Sequence, residues 1–171
     1  MKTKKITVMP WDPAWRQDFE DIRRELAAGL GPLALAVEHV GSTSVEGLAA
    51  KPIIDLDVVI PAGAPLEPVI RALACMGYIH EGDLGIPGRE AFRYEEKSHL
   101  RRHHLYVCRE DSPELHRHIT FRNYLRSHPE AAAEYGRIKQ EAARLFPEDI
   151  DGYINHKAPC IRRIYQLCGL E

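Results

Sequence analysis

The run HVGSTSVEGLAAKPIIDLDVVI, His39 to Ile60, constrains the fold more than any other segment, because it sets two aspartates inside what otherwise reads as a buried strand. Successive side chains of a strand alternate faces. Ile53, Asp55, Asp57 and Val59 therefore share one side, while Ile54, Leu56, Val58 and Ile60 share the other. Two carboxylates roughly 7 Å apart on one face repel each other, and desolvation makes their charged forms costlier still. A cation between them resolves the conflict. A divalent metal suits paired aspartates with further oxygen ligands, and Mg²⁺ or Mn²⁺ commonly carries phosphate substrates. The same spacing also fits an edge strand with one wet face, or a pair neutralised by Lys51 and the later arginines.

Upstream, Gly41-Ser42-Thr43-Ser44 follows an expected strand and opens an expected short helix. Its amides and hydroxyls can hold a phosphate at a helix N-terminus, with Lys51 as a mobile point charge. Taken alone, Ser42 reads equally well as an ordinary N-cap. Turn and acids together are the more specific signal.

The rest of the chain supplies a frame for this segment. Asp12-Pro13 followed by Trp15, Phe19, Ile22, Leu26 and Leu30 predicts an amphipathic helix that ends at Gly31-Pro32, with Trp11 and Trp15 as core aromatics. Leu33, Leu35 and Val37 alternate with smaller or polar residues and predict a strand running into Gly41. Strands are expected over Pro52 to Ile60 and His103 to Arg109, and short ones around the Gly/Pro-rich loop of YIHEGDLGIPGREAFRYE; a helix over Pro65 to Met76 closes at Gly77. Cap and proline signals predict helices over 112 to 127, 129 to 146 and 149 to 168, with Pro159 kinking or splitting the last. The expectation is an α+β or α/β protein: a small mixed sheet with helices packed on it and a helical C-terminal third.

At 171 residues one domain over 1–171 is expected, and 44% hydrophobic with 28% charged residues is ordinary for a soluble globular protein. No apolar run approaches membrane-spanning length, and MKTKKITVMPWDP has no apolar stretch behind its basic residues, so a cytoplasmic location is expected. Cys75, Cys108, Cys160 and Cys168 show no CxxC pair and read as reduced structural thiols. A net charge of -2 argues against a general nucleic-acid binder, although Arg101, Arg102, His103, His104, His116, Arg117, His118 and Arg122 form a local basic group.

A Gly-Ser turn followed at a dozen residues by Asp-hydrophobic-Asp-hydrophobic resembles the nucleotidyltransferase superfamily, the fold of DNA polymerase β and kanamycin nucleotidyltransferase. The fuller string EHVGSTSVEGLAAKPIIDLDVV, with GDLGIPGREAFR, RHHLYV, HRHITFRNYLRSHPEAAAEY and the Tyr153 and Lys157 pair, resembles the GrpB family of that superfamily over nearly the whole chain. Three positions depart from its usual pattern: Glu46 stands for a proline, Tyr106 for a histidine and Asn123 for an acid.

The resemblance implies a polymerase-β-like fold in which Asp55 and Asp57 hold one or two metals. It implies phosphate contacts from Gly41, Ser42, Thr43, Lys51, Arg89, His118, Arg122 and Lys157. His118 with Arg122, and Tyr153 with Lys157, are four residues apart, each pair on one helix face. Active relatives of the superfamily place a third carboxylate on a later strand, but His103 to Arg109 has no acid before Glu110. Alternation puts His104 on a face with Tyr106, so His104 is the candidate third ligand or base, which would shift preference from Mg²⁺ towards Mn²⁺ or Zn²⁺. The implied activity is metal-dependent nucleotidyl transfer from a nucleoside triphosphate to an unknown small acceptor. The alternative is a non-catalytic nucleotide-binding or regulatory module linked to nucleotide or coenzyme A metabolism.

Overall fold

The structure is a computed structural model that describes residues 5–171. Five strands form one sheet: β1 (Ala36–Val40), β2 (Ile54–Ile60), β3 (Ile79–Gly82), β4 (Glu90–Arg93) and β5 (His103–Arg109), in the order β1-β2-β5-β4-β3. The β2/β5 pair is parallel and every other pair antiparallel, so the sheet is mixed. Helices α1 (Ala14–Leu30), α2 (Glu67–Cys75), α3 (Pro113–Ser127), α4 (Pro129–Leu145) and α5 (Ile150–Leu167) complete an α+β fold.

One face of the sheet carries the main core. Ile54, Leu56, Val58 and Ile60 of β2, with Leu105 and Val107 of β5, pack against Trp15, Ile22 and Leu26 of α1 and Val69 and Leu73 of α2. These are the even positions of β2 that alternation assigns to one side, and all four are buried. The other face carries the acids. There Val59 and Cys108 meet Leu115 and Ile119, which lays α3 across the sheet beside Asp55 and Asp57. A second apolar group joins Val45 and Leu48, just after the Gly-Ser turn, to Tyr135 of α4 and Cys160 and Ile164 of α5.

Helix ends follow the chemistry that marks them. Leu115 N donates to the Ser112 side chain ahead of Pro113, and Gly152 N donates to Asp149 Oδ1. The three C-terminal helices accordingly lie within a residue of their expected bounds. Pro159 sits inside α5 without splitting it.

Two expectations need correction. Leu33 belongs to a 3₁₀ turn, Gly31–Leu33, because Pro32 in its first turn fixes a helical φ, and the strand begins only at Ala36. Trp11 is partly exposed at the rim of the core, with its Nε1 lacking a hydrogen-bond partner among the described residues, whereas Trp15 is a core residue. The four cysteines are free. Among the described residues, no helix is long and apolar enough to cross a membrane.

Candidate functional site

The acid face of β2 and β5 is the floor of the site. Register pairs Asp55 with His104 and Asp57 with Tyr106 on the neighbouring parallel strand. His104 Nδ1 lies 3.1 Å from Asp55 Oδ1, while its Nε2 takes no hydrogen bond among the described residues. Asp57 is fully buried and meets His118 Nδ1 of α3 at 2.6 Å, and Glu114, one turn earlier on α3, lies 3.5 Å from the other nitrogen of that ring.

Burial drives the Asp57 carboxyl above its ordinary pKa, only partly offset by His118. Burial would lower His118, but the Asp57 hydrogen bond and charge, with Glu114, outweigh it and hold the imidazole above its usual value. The question posed by an acid within a buried strand thus has an answer in the free protein: a histidine from α3 compensates it. Asp57 Oδ1 nevertheless stays buried with no partner among the described residues.

The Gly-Ser turn borders Asp55 closely. Gly41 has φ +72°, and a Cβ there would sit 2.3 Å from Asp55 Oδ2, so only glycine lets the turn approach the acid. Ser42–Ser44 is a single 3₁₀ turn. The Ser44 and Val45 amides close on Gly41 and Ser42, which leaves the Ser42 and Thr43 amides outside the turn's own bonds. The Thr43 side chain points elsewhere: its hydroxyl shares a 2.9 Å hydrogen bond with His39 Nε2, beside a separate cavity lined by Trp11, Arg16 and Arg126. Burial pushes His39 down to about 4, so this imidazole stays neutral.

Three lysines feel the Asp55 charge. Lys51 precedes β2, Lys139 lies on α4 and Lys157 on α5. The Lys51 and Lys157 ammonium groups lie 5.1 and 4.6 Å from the Tyr153 ring centre, and that of Lys139 lies 4.8 Å from the Tyr135 ring centre. Ser42 packs against the Tyr135 phenol. Lys139 is only 3% exposed. Burial and then the Lys157 charge hold it well below the usual lysine range, and burial with Lys51 lowers Lys157 to about 8; Asp55 opposes the shift in all three lysines. None of the three forms an ion pair among the described residues.

A cavity of about 200 Å³ opens over Asp55, lined by Gly41, Asp55, Arg89, Tyr106, His118 and Tyr165, among others. The Arg89 guanidinium lies 4.2 Å from the Tyr106 ring centre, with its Nε buried and unpartnered among the described residues. Arg122 is held away from this cavity by Glu38, at 2.7 Å, and the His39 carbonyl, at 3.0 Å. Of the residues expected at the site, Gly41, Asp55, Arg89 and His118 line this one cavity, Asp57 meets His118, His104 meets Asp55, Ser42 lies in the adjoining turn, and Lys51 and Lys157 feel the Asp55 charge. The structure turns the Thr43 hydroxyl and the Arg122 side chain elsewhere, and it adds Lys139.

Among the described residues, no three His, Cys, Asp or Glu side chains converge as a ready-made metal cage. Two carboxylates with an unpartnered buried oxygen suit Mg²⁺, which is usually held by one or two acids while phosphate oxygens and water complete its shell. Ligation through His104 Nδ1 would require its Asp55 hydrogen bond to be given up.

Comparison with known proteins agrees with the fold. The crystal structure of conserved protein GrpB from Enterococcus faecalis superposes with a TM-score of 0.82 at 36% identity, over 95% of this chain and 96% of that one. The Cid1 poly(U) polymerase with MgGTP bound shares the fold, with a TM-score of 0.53 at 13% identity over 77% of this chain and 42% of that one. The UPF0157 protein YqkA of Bacillus subtilis (strain 168) is 32% identical over 159 residues, 93% of this chain and 46% of that protein, so the chain spans less than half of that relative's length. The pattern of the family described as GrpB protein matches residues 5–167, and with it the acids, the turn and the three lysines fall inside one family domain: the chain belongs to the GrpB family.

Proposed function

We propose that this protein transfers a nucleotidyl group from a nucleoside triphosphate to a small acceptor, with a divalent metal held by Asp55 and Asp57. The observation that carries the reading is the charge pattern: three lysines without an acidic partner among the described residues stand beside two acids and a glycine turn. A buried lysine without a counterion is costly unless a ligand brings the negative charge. A triphosphate does so, and its metal satisfies the acids. The fold shared with a polymerase bound to MgGTP supports the same assignment.

When bound, the metal supplies Lewis-acid charge to the phosphate oxygens. Lys51, Lys139 and Lys157 hold the outer phosphates and neutralise the departing charge, while the Ser42 and Thr43 amides offer donors at the turn. The acceptor oxygen bonds to the α-phosphorus as the α–β bridging bond breaks and pyrophosphate leaves. The acceptor proton passes to the open His104 Nε2, whose ring Asp55 orients through Nδ1. His118 holds Asp57 in place before the metal arrives.

One observation favours a second reading, a nucleotide-binding module without turnover: Tyr106, not an acid, is the register partner of Asp57 on β5. A thermal-shift screen of nucleoside triphosphates with Mg²⁺, Mn²⁺ or Zn²⁺ tests both. Metal-dependent stabilisation that disappears in Asp55→Asn/Asp57→Asn, with pyrophosphate released, supports transfer. Stabilisation without pyrophosphate supports the module. Equal shifts in parent and variant overturn the site.

A further inference from the structure

A third cavity, of about 730 Å³, lies at the N-terminal ends of β2 and β5, and Lys5, Lys51, Ile53, His99, Arg101 and Arg102 contribute to its walls. Its charges are unbalanced. The one acid lining it, Asp18, is committed to Arg101 at 3.0 Å, and His99 is paired with Glu25 at 2.8 Å. Lys5, Lys51 and Arg102 have no carboxylate partner among the described residues, and residues 1–4, Met-Lys-Thr-Lys, contain no acid to supply one.

Backbone register joins this cleft to the chemistry. Ile54 N donates to the Arg102 carbonyl at 3.0 Å, and Ile54 pairs with His103, so Ile53 and Arg102 stand one step before that pair. Alternation then sets Ile53 on the face of Asp55 and Arg102 on the face of His104, about 7 Å along each strand. Arg102 also lines a neighbouring cavity together with His104 and Tyr106. Lys51 belongs both to the cleft and to the lysine group that Asp55 influences. The cleft therefore shares Lys51 with the lysine group and Arg102 with the cavity that His104 lines.

Resting on the transfer reading above, we infer that this cleft seats the acceptor, and that the acceptor is a small molecule carrying a phosphate group. A guanidinium offers forked donors that match phosphate oxygens, and two lysines add point charges. The volume falls within the range of small-molecule sites, roughly 300–1,000 Å³. A net charge of -2 lacks the broad positive surface that a nucleic-acid backbone selects. With the acceptor's phosphate held at Arg102 and Lys5, its hydroxyl is directed along the strands towards His104. There the oxygen gains the nucleotidyl phosphorus, the proton goes to the imidazole, and pyrophosphate departs on the lysine side.

Titration calorimetry at constant ionic strength tests this, using glycerol 3-phosphate as probe and glycerol as its neutral twin. Measurements are made with and without Mg²⁺ and a non-hydrolysable nucleoside triphosphate analogue that fills the lysine group. The expected result is binding of the phosphate ester but not of glycerol, persisting when the analogue is bound. Affinity falls about tenfold in Arg102→Gln and again in Lys5→Gln, each checked for an unchanged melting curve, and is retained in Lys139→Met. Competition between ester and analogue, or loss in Lys139→Met with retention in Arg102→Gln, places the anion in the lysine group and overturns the inference. Ester binding that depends on Arg102 in a protein that binds no triphosphate analogue keeps an anion site but overturns its acceptor role, and separates that failure from failure of the cleft itself. Arg102-dependent binding of an oligoribonucleotide with steep salt dependence, without ester binding, also overturns it in favour of a nucleic-acid surface.

Discussion

The acidic and basic halves of the site differ in how completely the protein neutralises them. Each aspartate has a histidine: Asp55 meets His104 at 3.1 Å and Asp57 meets His118 at 2.6 Å. Among the described residues the three lysines face aromatic rings and feel one another's charge, with Asp55 as the acid that opposes it. Removing a group from the acid half should therefore loosen the free protein, whereas removing one from the lysine half should tighten it. The lysine half spends stability on a charge arrangement that only an anion relieves.

The largest expected effect is at Asp57. Replacing it with Ala removes the acceptor of a buried, charge-assisted hydrogen bond and leaves His118 facing Glu114 alone. A loss of about 2–3 kcal/mol in urea unfolding is expected. A loss below about 1 kcal/mol would mean that His118 does little to compensate the acid, and the contrast between the halves would fail.

Gly41→Ala should come next. A φ of +72° with ψ −176° is a region that glycine alone occupies readily and costs alanine about 1–3 kcal/mol, and the new Cβ would press on Asp55 Oδ2. Gly47→Ala is the control, since Gly47 has φ +84° but open space around it. Both variants should lose similar backbone stability, while only Gly41→Ala should also lose the metal-dependent triphosphate shift. Equal binding in the two would show that the close approach of turn and acid serves no ligand.

Lys139→Met should act with the opposite sign. Exchanging a buried lysine without an acidic partner among the described residues for a thioether of similar length is expected to raise the melting temperature of the free protein by about 2–4 °C, near 1 kcal/mol for a chain of this length. The same variant should lose most of the stabilisation given by triphosphate. A lower melting temperature would place Lys139 among the stabilising residues and remove the asymmetry.

Strand alternation made the acid face legible, because a period of two fixes which side chains share a side whatever the tertiary context. It correctly separated Ile54, Leu56, Val58 and Ile60 from Asp55 and Asp57, and it put His104 beside the acids. Side-chain partners across elements were not legible. His118 was expected at a phosphate, but α3 delivers it to Asp57 from 61 residues away. Thr43 and Arg122 looked like anion ligands until His39 and Glu38 engaged them. Lys139 carries no such mark, because a lysine in AEYGRIKQEAARL reads as a solvated helix face. One signal was present: Tyr135 and Lys139 repeat the spacing of Tyr153 and Lys157, so two helices present a tyrosine and a lysine one turn apart, and both pairs converge.

The most local effect is a pH dependence that centres on Lys157. Its pKa is lowered from 10.5 to about 8 by burial and by Lys51, with Asp55 opposing; Lys139 and the Tyr135 and Tyr153 rings complete its surroundings. Between those two values the unfolded chain binds more protons than the folded one, so stability rises with pH; below about 8 the cost of the buried charge is present in full. One such group contributes at most about 1.4 kcal/mol per pH unit. Above about 10 the trend reverses, because tyrosines ionise in the unfolded chain while burial holds Tyr153 up to about 12 and Tyr135 higher still. Urea midpoints should therefore climb from pH 7.5 to 9.5, and less steeply in Lys157→Met. Saturating triphosphate should flatten the climb as well, since the bound anion restores the lysine to its charged form. A parental midpoint that does not rise would mean that the lysines are already compensated in the free protein, leaving no unmet charge for a ligand to satisfy.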